Sequence, residues 1–235
     1  MRLKLIDWER AVMAKTHYLS DRCIIPVALA GILILGGQNA LACGNGKLLF
    51  QDKFQTVDPR WGFAAIDPTR SVGADGLSYS SPGLQMYSVN QINQASLYDD
   101  YEVCAHITMK YSDEKSNAFA FVTFWADDSF NKYAFSSSSM DGTYSVSRTQ
   151  KSKLLTQIPW GEPTPAINKG SGVVNELSVA VRGNHAVFSI NNQKVDEFDG
   201  QAPDGGSKIG FGMQVPMGEG PVVFGVKDLE VRALQ

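Results

Sequence analysis

The sequence contains no cluster of basic residues, the feature through which proteins attract nucleic acids and anionic membranes. Its 235 residues include 21 Lys and Arg against 24 Asp and Glu. Five of the basic residues and three of the acidic ones lie in residues 1–42, so residues 43–235 carry a net charge near −5. This charge balance argues against a nucleic-acid or anionic-lipid partner.

Motifs for zinc and for nucleophilic catalysis are also missing. The three histidines are scattered and no His/Cys group has zinc-ligand spacing. Asp127, Asp128 and Asn131 offer oxygen atoms that suit Ca²⁺, but a calcium ion takes about six to eight such ligands. A solvated turn explains these three residues more simply. We therefore expect no cofactor, and Ca²⁺ remains the weak alternative.

The longest mostly apolar stretch near the start, residues 24–37, has 14 residues and is shorter than the about 20 that a membrane-spanning helix needs. Residues 24–37 are uncharged and mostly apolar, follow a segment with five basic residues, and precede Ala40-Leu41-Ala42. Segments in this order are typical of a secretory signal helix. We predict cleavage after Ala42, which places residues 43–235 outside the cytoplasm as one periplasmic or secreted domain. An uncleaved anchor and a true start at Met13 are the alternatives at this end.

Cys43 directly follows the predicted cleavage site and allows two interpretations. Its thiol could pair with Cys104 in an oxidising compartment. Alternatively, it could carry a lipid, as in bacterial lipoproteins, which would anchor the protein to a membrane and leave Cys104 as a lone buried thiol. The residue three before Cys43 is Ala40, where lipoprotein signals usually have Leu.

No window of residues 43–235 shows a sustained helical stripe. Runs of four to eight β-formers recur instead, divided by Gly, Asn, Asp, Ser and Pro, which predicts an antiparallel sandwich or barrel. Residues 118–125 are nearly all apolar, as in a strand covered on both faces. Residues 151–175 are predicted to be irregular, and the four serines at 136–139 are interpreted as a flexible polar loop.

The order of several segments resembles the concanavalin A-like jelly rolls in their laminin-G-like branch. These segments include residues 124–128, 131–135, 141–148, 188–192 and 205–211. The opening, residues 49–54 followed by Asp58-Pro59-Arg60-Trp61, resembles bacterial 3-keto-disaccharide hydrolase domains. The resemblance implies an all-β antiparallel jelly-roll sandwich. It does not settle function, because such sandwiches serve as enzymes, lectins and scaffolds.

Paired carboxylates, which retaining glycosidases place about 5–5.5 Å apart, are not evident. The laminarinase signature Glu-x-Asp-x-x-Glu is absent. The acidic residues that come nearest to this signature are interpreted as solvated strand edges, and no catalytic residue is assigned. These acids are Asp99, Asp100, Glu102, Asp196, Glu197 and Asp199.

Aromatic side chains are the best candidates for a binding site, because an aromatic face stacks on a sugar ring while nearby polar groups read the hydroxyls. Pro159 and Gly161 bracket Trp160, which favours exposure. Trp125 ends an apolar strand, so core packing competes with a binding role. The candidate ligand-binding residues are Trp160, Trp125, Tyr133, Tyr144 and Arg148, with Trp61 as a further aromatic.

These observations predict an exported, non-catalytic protein that binds carbohydrate or another cell-envelope ligand. An enzyme acting on glycosides, by hydrolysis or by elimination on 3-keto-disaccharides, is the first alternative. A structural envelope protein is the second.

Overall fold

A computed structural model describes residues 43–95, 97–113 and 115–234. The predicted signal helix and its cleavage site at Ala42 lie outside these residues. Among the described residues, no helix has the length and apolar character needed to cross a bilayer. Within the described residues, the regular structure is a short 3₁₀ turn at Pro59–Trp61 and fourteen strands. The strands are β1 (Leu48–Asp52), β2 (Arg70–Gly73), β3 (Gly76–Ser80), β4 (Tyr87–Ile92), β5 (Tyr101–Tyr111), β6 (Phe119–Ala126), β7 (Lys132–Ser138), β8 (Thr143–Gln150), β9 (Lys153–Ile158), β10 (Val174–Arg182), β11 (His185–Ile190), β12 (Gln193–Asp199), β13 (Lys208–Val215) and β14 (Val222–Ala233).

The strands form two antiparallel sheets that pack face to face. The back sheet has eight strands in the order β12-β11-β10-β5-β14-β3-β2, and β1 pairs with β14 beside β3. The front sheet has six strands in the order β4-β13-β6-β7-β8-β9. The architecture confirms the predicted all-β jelly-roll sandwich.

Alternation along each strand decides which side chains enter the core. In β5, Tyr101, Val103 and Ala105 point inward and are fully buried, whereas Glu102 and His106 lie on the outer face. In β14 a bulge between Val226 and Asp228 interrupts this alternation. The bulge keeps the apolar residues on both sides of it in the core.

Strand β6 is buried on both faces, as its apolar sequence predicts. Val122 and Phe124 enter the core, and Phe121 and Thr123 face outward from the front sheet. The outward side chains are nevertheless covered, which means that the front face is concave at this strand.

Two parts of the sequence-based prediction were wrong. Residues 151–175 contain a strand, β9, at the edge of the front sheet. The serine run is not a flexible loop, because Ser136, Ser137 and Ser138 belong to β7 and all four serines are buried. Strand β9 was missed because its residues are mostly exposed and give no apolar alternation.

A disulfide joins Cys43 to Cys104, with 5.7 Å between the Cα atoms. Cys104 lies on the outer face of β5, opposite Val103, as the alternation predicts. Beside the disulfide, the Gly44 N–H donates to Glu102 Oε2 at 2.9 Å, and Ser178 Oγ donates to Glu102 Oε1 at 2.6 Å. The segment that follows Cys43 is thus fixed to the back sheet.

Candidate ligand groove

The outer face of the front sheet carries rows of small and hydroxylated side chains. One row follows the register across five strands, from Asn90 in β4 through Gly212, Phe121 and Ser136 to Ser145 in β8. Small residues on this face leave room above the sheet, and the larger side chains at the margins form walls. We call the resulting depression the front groove.

Phe121 forms part of the floor of the front groove and is only 6% exposed. Its ring lies against Gly212, where an added Cβ would come within 2.4 Å of the ring. The same Cβ would lie 2.1 Å from the carbonyl oxygen of Val89. Any side chain at position 212 would therefore displace the phenylalanine ring from the floor.

Three connected cavities make up the front groove. The central cavity has a volume of about 190 Å³ and shares Lys132 and Thr149 with a cavity of about 600 Å³ at one end, which we call the Arg148 cavity. At the other end it shares Phe119 and Trp160 with a cavity of about 470 Å³, the Trp160 cavity. The groove runs along β7, whose six residue steps span about 20 Å.

Lys132 lies between the central cavity and the Arg148 cavity. Its Nζ is 5.3 Å from the centre of the Phe121 ring, a cation–π contact. Among the described residues its ammonium group has no hydrogen-bond or ion-pair partner. Burial without a compensating carboxylate lowers the pKa of Lys132 to about 8.

Two buried acceptors of the front sheet also lack partners among the described residues. They are Asn90 Oδ1, on a residue that lines the central cavity, and Thr123 Oγ1, on the same outer face. A buried polar atom without a partner costs free energy, and a bound ligand or water can remove that cost. The orphaned oxygen of Asn90 therefore marks the central cavity as a place for a hydroxylated ligand.

The Arg148 cavity brings together three of the predicted ligand-binding residues, Trp125, Tyr133 and Arg148. The Arg148 guanidinium lies 5.2 Å from the Tyr133 ring centre and donates to Gln201 Oε1 at 2.8 Å. Trp125 is only 3% exposed and packs against Tyr133 and Phe198. Tyr133 is 2% exposed, so both aromatics belong to the core and offer the cavity little surface.

Trp160 lies at the opposite end, where it lines both the central cavity and the Trp160 cavity. It is 43% exposed, and its ring centre lies 5.3 Å from that of Phe119 in an edge-on arrangement. This placement agrees with the exposure predicted from Pro159 and Gly161. Trp160 and Trp125 therefore stand at opposite ends of one groove.

The structure does not bring the other two aromatic candidates into the front groove. The Tyr144 hydroxyl donates to the backbone oxygen of Val195 at 3.0 Å, on the side facing β12. Trp61 is buried in the core, and its indole N–H donates to Asp52 Oδ2 at 2.8 Å.

The candidate calcium ligands Asp127, Asp128 and Asn131 form a turn. Asp128 Oδ1 accepts from the N–H groups of Phe130 and Asn131 at 2.7 and 2.8 Å, and Asn131 Oδ1 accepts from the Lys151 N–H at 3.1 Å. The only described trio of His, Cys, Asp or Glu with converging ligand atoms is Cys43, Glu102 and Cys104. Because its two sulfurs are bonded to each other, this trio is not open to a metal ion.

The paired acids identified in the sequence lie away from the front groove. Glu197 and Asp199 contact His185 at 3.2 and 2.8 Å on the outer face of the back sheet. Asp100 accepts from the Gly183 N–H at 2.8 Å. The acids that do line the described groove are exposed loop residues: Asp127 and Asp204 in the Arg148 cavity and Asp141 in the Trp160 cavity.

Sequence comparison gives no match: no family model matches the chain, and neither does any curated protein. Solved structures do match. The glycoside hydrolase family 16 endo-glucanase from Bacteroides ovatus superposes with a TM-score of 0.60 at 15% identity, covering 78% of this chain and 100% of that one. The chain has the concanavalin A-like jelly-roll fold.

Other matching structures differ in their described activities. The carbohydrate binding module CBM66 from Bacillus subtilis gives a TM-score of 0.50 at 14% identity, covering 69% of this chain and 91% of the module. The catalytic domain of an endo-1,3-beta-glucanase (laminarinase) from Thermotoga petrophila gives 0.55 at 8% identity, covering 80% and 97%. At these identities the likeness establishes the fold alone.

Sequence reasoning missed Lys132, Phe121 and Asn90. Alternation along β7 places Lys132 on the same face as Ala134 and Ser136, which was a usable signal. The missing information was that this face is concave, and that no acid stands next to Lys132 on the neighbouring strands.

Proposed function

We propose that this protein binds a carbohydrate in the front groove and does not cleave it. The observation that carries the proposal is the groove itself, which combines an exposed aromatic, Trp160, with the orphaned acceptor of Asn90 and several hydroxyl groups. Sugar rings need an apolar face to stack on and polar atoms to orient their hydroxyls. The carbohydrate-related neighbours of this fold agree with the proposal.

The charges in the groove support binding over glycoside hydrolysis. A glycosidase acid needs a raised pKa, which desolvation provides, and a second carboxylate across the scissile bond. Among the described residues, the central cavity has no carboxylate. Asp127 and Asp204 are exposed on loops, outside the desolvated setting that a glycosidase acid needs.

An enzyme that acts on 3-keto-disaccharides is the second candidate. A lysine with a pKa of about 8 can accept a proton near neutral pH, as elimination beside a ketone requires. Incubation with a 3-keto-disaccharide, followed by chromatography, tests this candidate. Product release by the wild type that disappears in Lys132→Met would favour the enzyme.

We also propose export, with residues 1–42 as the signal peptide and Cys43 as the first mature residue. The Cys43–Cys104 disulfide supports an oxidising compartment. It occupies the Cys43 sulfur and so favours simple cleavage over lipidation. Mass spectrometry of the native protein, before and after reduction, distinguishes an intact N-terminus, a free Cys43 terminus and a diacylglyceryl adduct.

A glycan-array screen followed by calorimetry tests the binding function. We expect Trp160→Ala to weaken glycan binding by about 1–3 kcal/mol, as loss of an aromatic anchor does, with almost no change in melting temperature. Trp125→Ala should instead lower stability by about 3–5 kcal/mol, because it empties a core position. Phe130→Ala, at an exposed aromatic outside the groove, is the matched control. The proposal fails if the wild type binds no glycan.

A further inference from the structure

Lys132 is the only ionisable side chain lining the central cavity among the described residues. We propose that the front groove selects an anionic saccharide, whose carboxylate or sulfate oxygens accept hydrogen bonds from the Lys132 ammonium group. This inference rests on the proposed carbohydrate-binding function and names the chemical class of the ligand.

The argument starts from the surroundings of the ammonium group. On its own strand, the side chains on the same face are Ala134 and Ser136, and its cross-strand neighbour is Thr149. All three are neutral. The contact with the Phe121 ring stabilises a cation less than a carboxylate does. The folded protein therefore holds a partly desolvated cation without an anionic partner.

The two ends of the groove differ from its centre in charge. The Arg148 cavity contains the cations Lys132 and Arg148 together with Asp127 and Asp204, so its charges balance in number. The Trp160 cavity contains Asp141, whose Oδ2 accepts from Ser138 Oγ at 3.0 Å. Neither Asp127 nor Asp141 forms an ion pair with Lys132. An anionic group is therefore favoured in the central cavity, meets balanced charges at the Arg148 end and is disfavoured at the Trp160 end.

Other polar groups that line the central cavity suit a sugar that carries the anion. Asn90 Oδ1 accepts from no donor in the described part of the chain, and a sugar hydroxyl can supply one. Ser136 and Ser145 offer hydroxyl groups on the same row. An inorganic anion would use the lysine but would leave the amide oxygen of Asn90 unsatisfied, whereas an acidic sugar satisfies both.

Calorimetry with matched ligand pairs tests the inference. One pair is an oligogalacturonate and its methyl ester; the other is a sulfated oligosaccharide and its desulfated form. We expect at least one acidic form to bind about tenfold more tightly than its neutral partner, since a hydrogen bond to a charged group is stronger than a neutral one. The pair that shows the difference identifies carboxylate or sulfate.

Variants assign the preference to Lys132. Lys132→Met keeps a long side chain over Phe121 and should abolish the preference, so that the acidic and neutral forms bind with equal affinity. Lys227→Met, at an exposed lysine in β14 of the back sheet, should leave the preference unchanged.

The outcomes separate this inference from the proposed function. Equal binding of acidic and neutral forms overturns the inference and leaves carbohydrate binding standing. A preference that survives in Lys132→Met, or is lost in Lys227→Met, also overturns it. Binding of no glycan, neutral or acidic, overturns both.

Discussion

The outer faces of the two sheets differ in what surrounds a partly buried cation. On the back sheet, His106 lies between Glu176 and Asp228, its direct neighbours on β10 and β14. Burial disfavours its protonated form, but the hydrogen bonds to Asp228 and Glu176 outweigh this effect and raise the pKa of His106 to about 9. On the front sheet, Lys132 has no such partners and its pKa falls.

This difference indicates what each face does. Polar groups that satisfy one another add to the stability of the fold and offer little to a ligand. Polar groups left without partners cost stability, and a ligand that pairs with them recovers that cost. The back face is therefore interpreted as structural and the front face as the binding surface, which the following predictions test.

The largest effect is expected from the crosslink on the back face. The disulfide joins two residues that are 61 positions apart. By restricting the unfolded chain, a crosslink of this length stabilises the fold by about 4 kcal/mol. The double variant Cys43→Ala/Cys104→Ala should lose about this much unfolding free energy in urea titrations and keep its affinity for glycan. Loss of glycan binding in the folded double variant would show that the two faces are not independent.

A smaller loss is expected when the ion-pair network on the back face is broken. Glu176 is 1% exposed, so Glu176→Gln leaves His106 without one of its two carboxylates and should cost about 3 kcal/mol. The control is Glu197→Gln at an exposed position, where the change should stay within about 0.5 kcal/mol. Equal effects of the two variants would contradict the structural interpretation of the back face.

The two faces should also give stability a pH dependence of opposite sign. The pKa of His106 is raised from 6.5 to about 9, so its stabilisation is full below pH 6.5 and is lost as the pH rises through 9. The pKa of Lys132 is lowered from 10.5 to about 8, so its unfavourable contribution is present below pH 8 and disappears toward pH 10.5.

Urea titrations between pH 6 and 10.5 measure both dependences. His106→Gln should flatten the decline in unfolding free energy that begins near pH 6.5, and Lys132→Met should flatten the opposing rise above pH 8. The pKa of the exposed His185 is also raised, so His185 contributes to the same decline. The comparison therefore uses differences between each variant and the wild type. Parallel curves for His106→Gln and the wild type would contradict the first assignment.

The smallest effect on stability is expected from Lys132→Met. Because the charged ammonium group is unfavourable below pH 8 and has no charged partner among the described residues, the variant should unfold at the same urea concentration as the wild type at pH 7, or at a higher one. Comparing Lys132→Met with Glu176→Gln shows whether removing a charge affects glycan binding on the front face and unfolding free energy on the back face. A large loss of stability would mean that Lys132 supports the fold.

The strands with one buried face were predictable from the sequence, because each shows the two-residue period of a sandwich. Strands such as β9 were not, since an edge strand with exposed residues has no apolar period to detect. The serines of β7 illustrate the same limit. Ser136 is polar in sequence yet buried, because it lines a concave surface whose shape depends on its neighbours in space.

The candidate site was predictable only in part. The exposure of Trp160 follows from its flanking proline and glycine, which are local features. The isolation of Lys132 and the placing of Phe121 over Gly212 depend on the register of strands far apart in the chain. Trp125, Tyr133 and Arg148 do meet at one cavity, but the burial of both aromatics depends on how Phe198 and its strand pack against them.

The long strand β14 has a consequence for how the chain comes together during synthesis. One of its edges pairs with β5, and the other pairs first with β3 and then with β1. These partners come from the first half of the domain, while β14 ends at Ala233. A nascent chain can build the consecutive hairpins from β6 to β9 as they emerge. The back sheet is complete only once β14 has been synthesised, so truncation before β14 should leave β1, β3 and β5 with open edges that can aggregate.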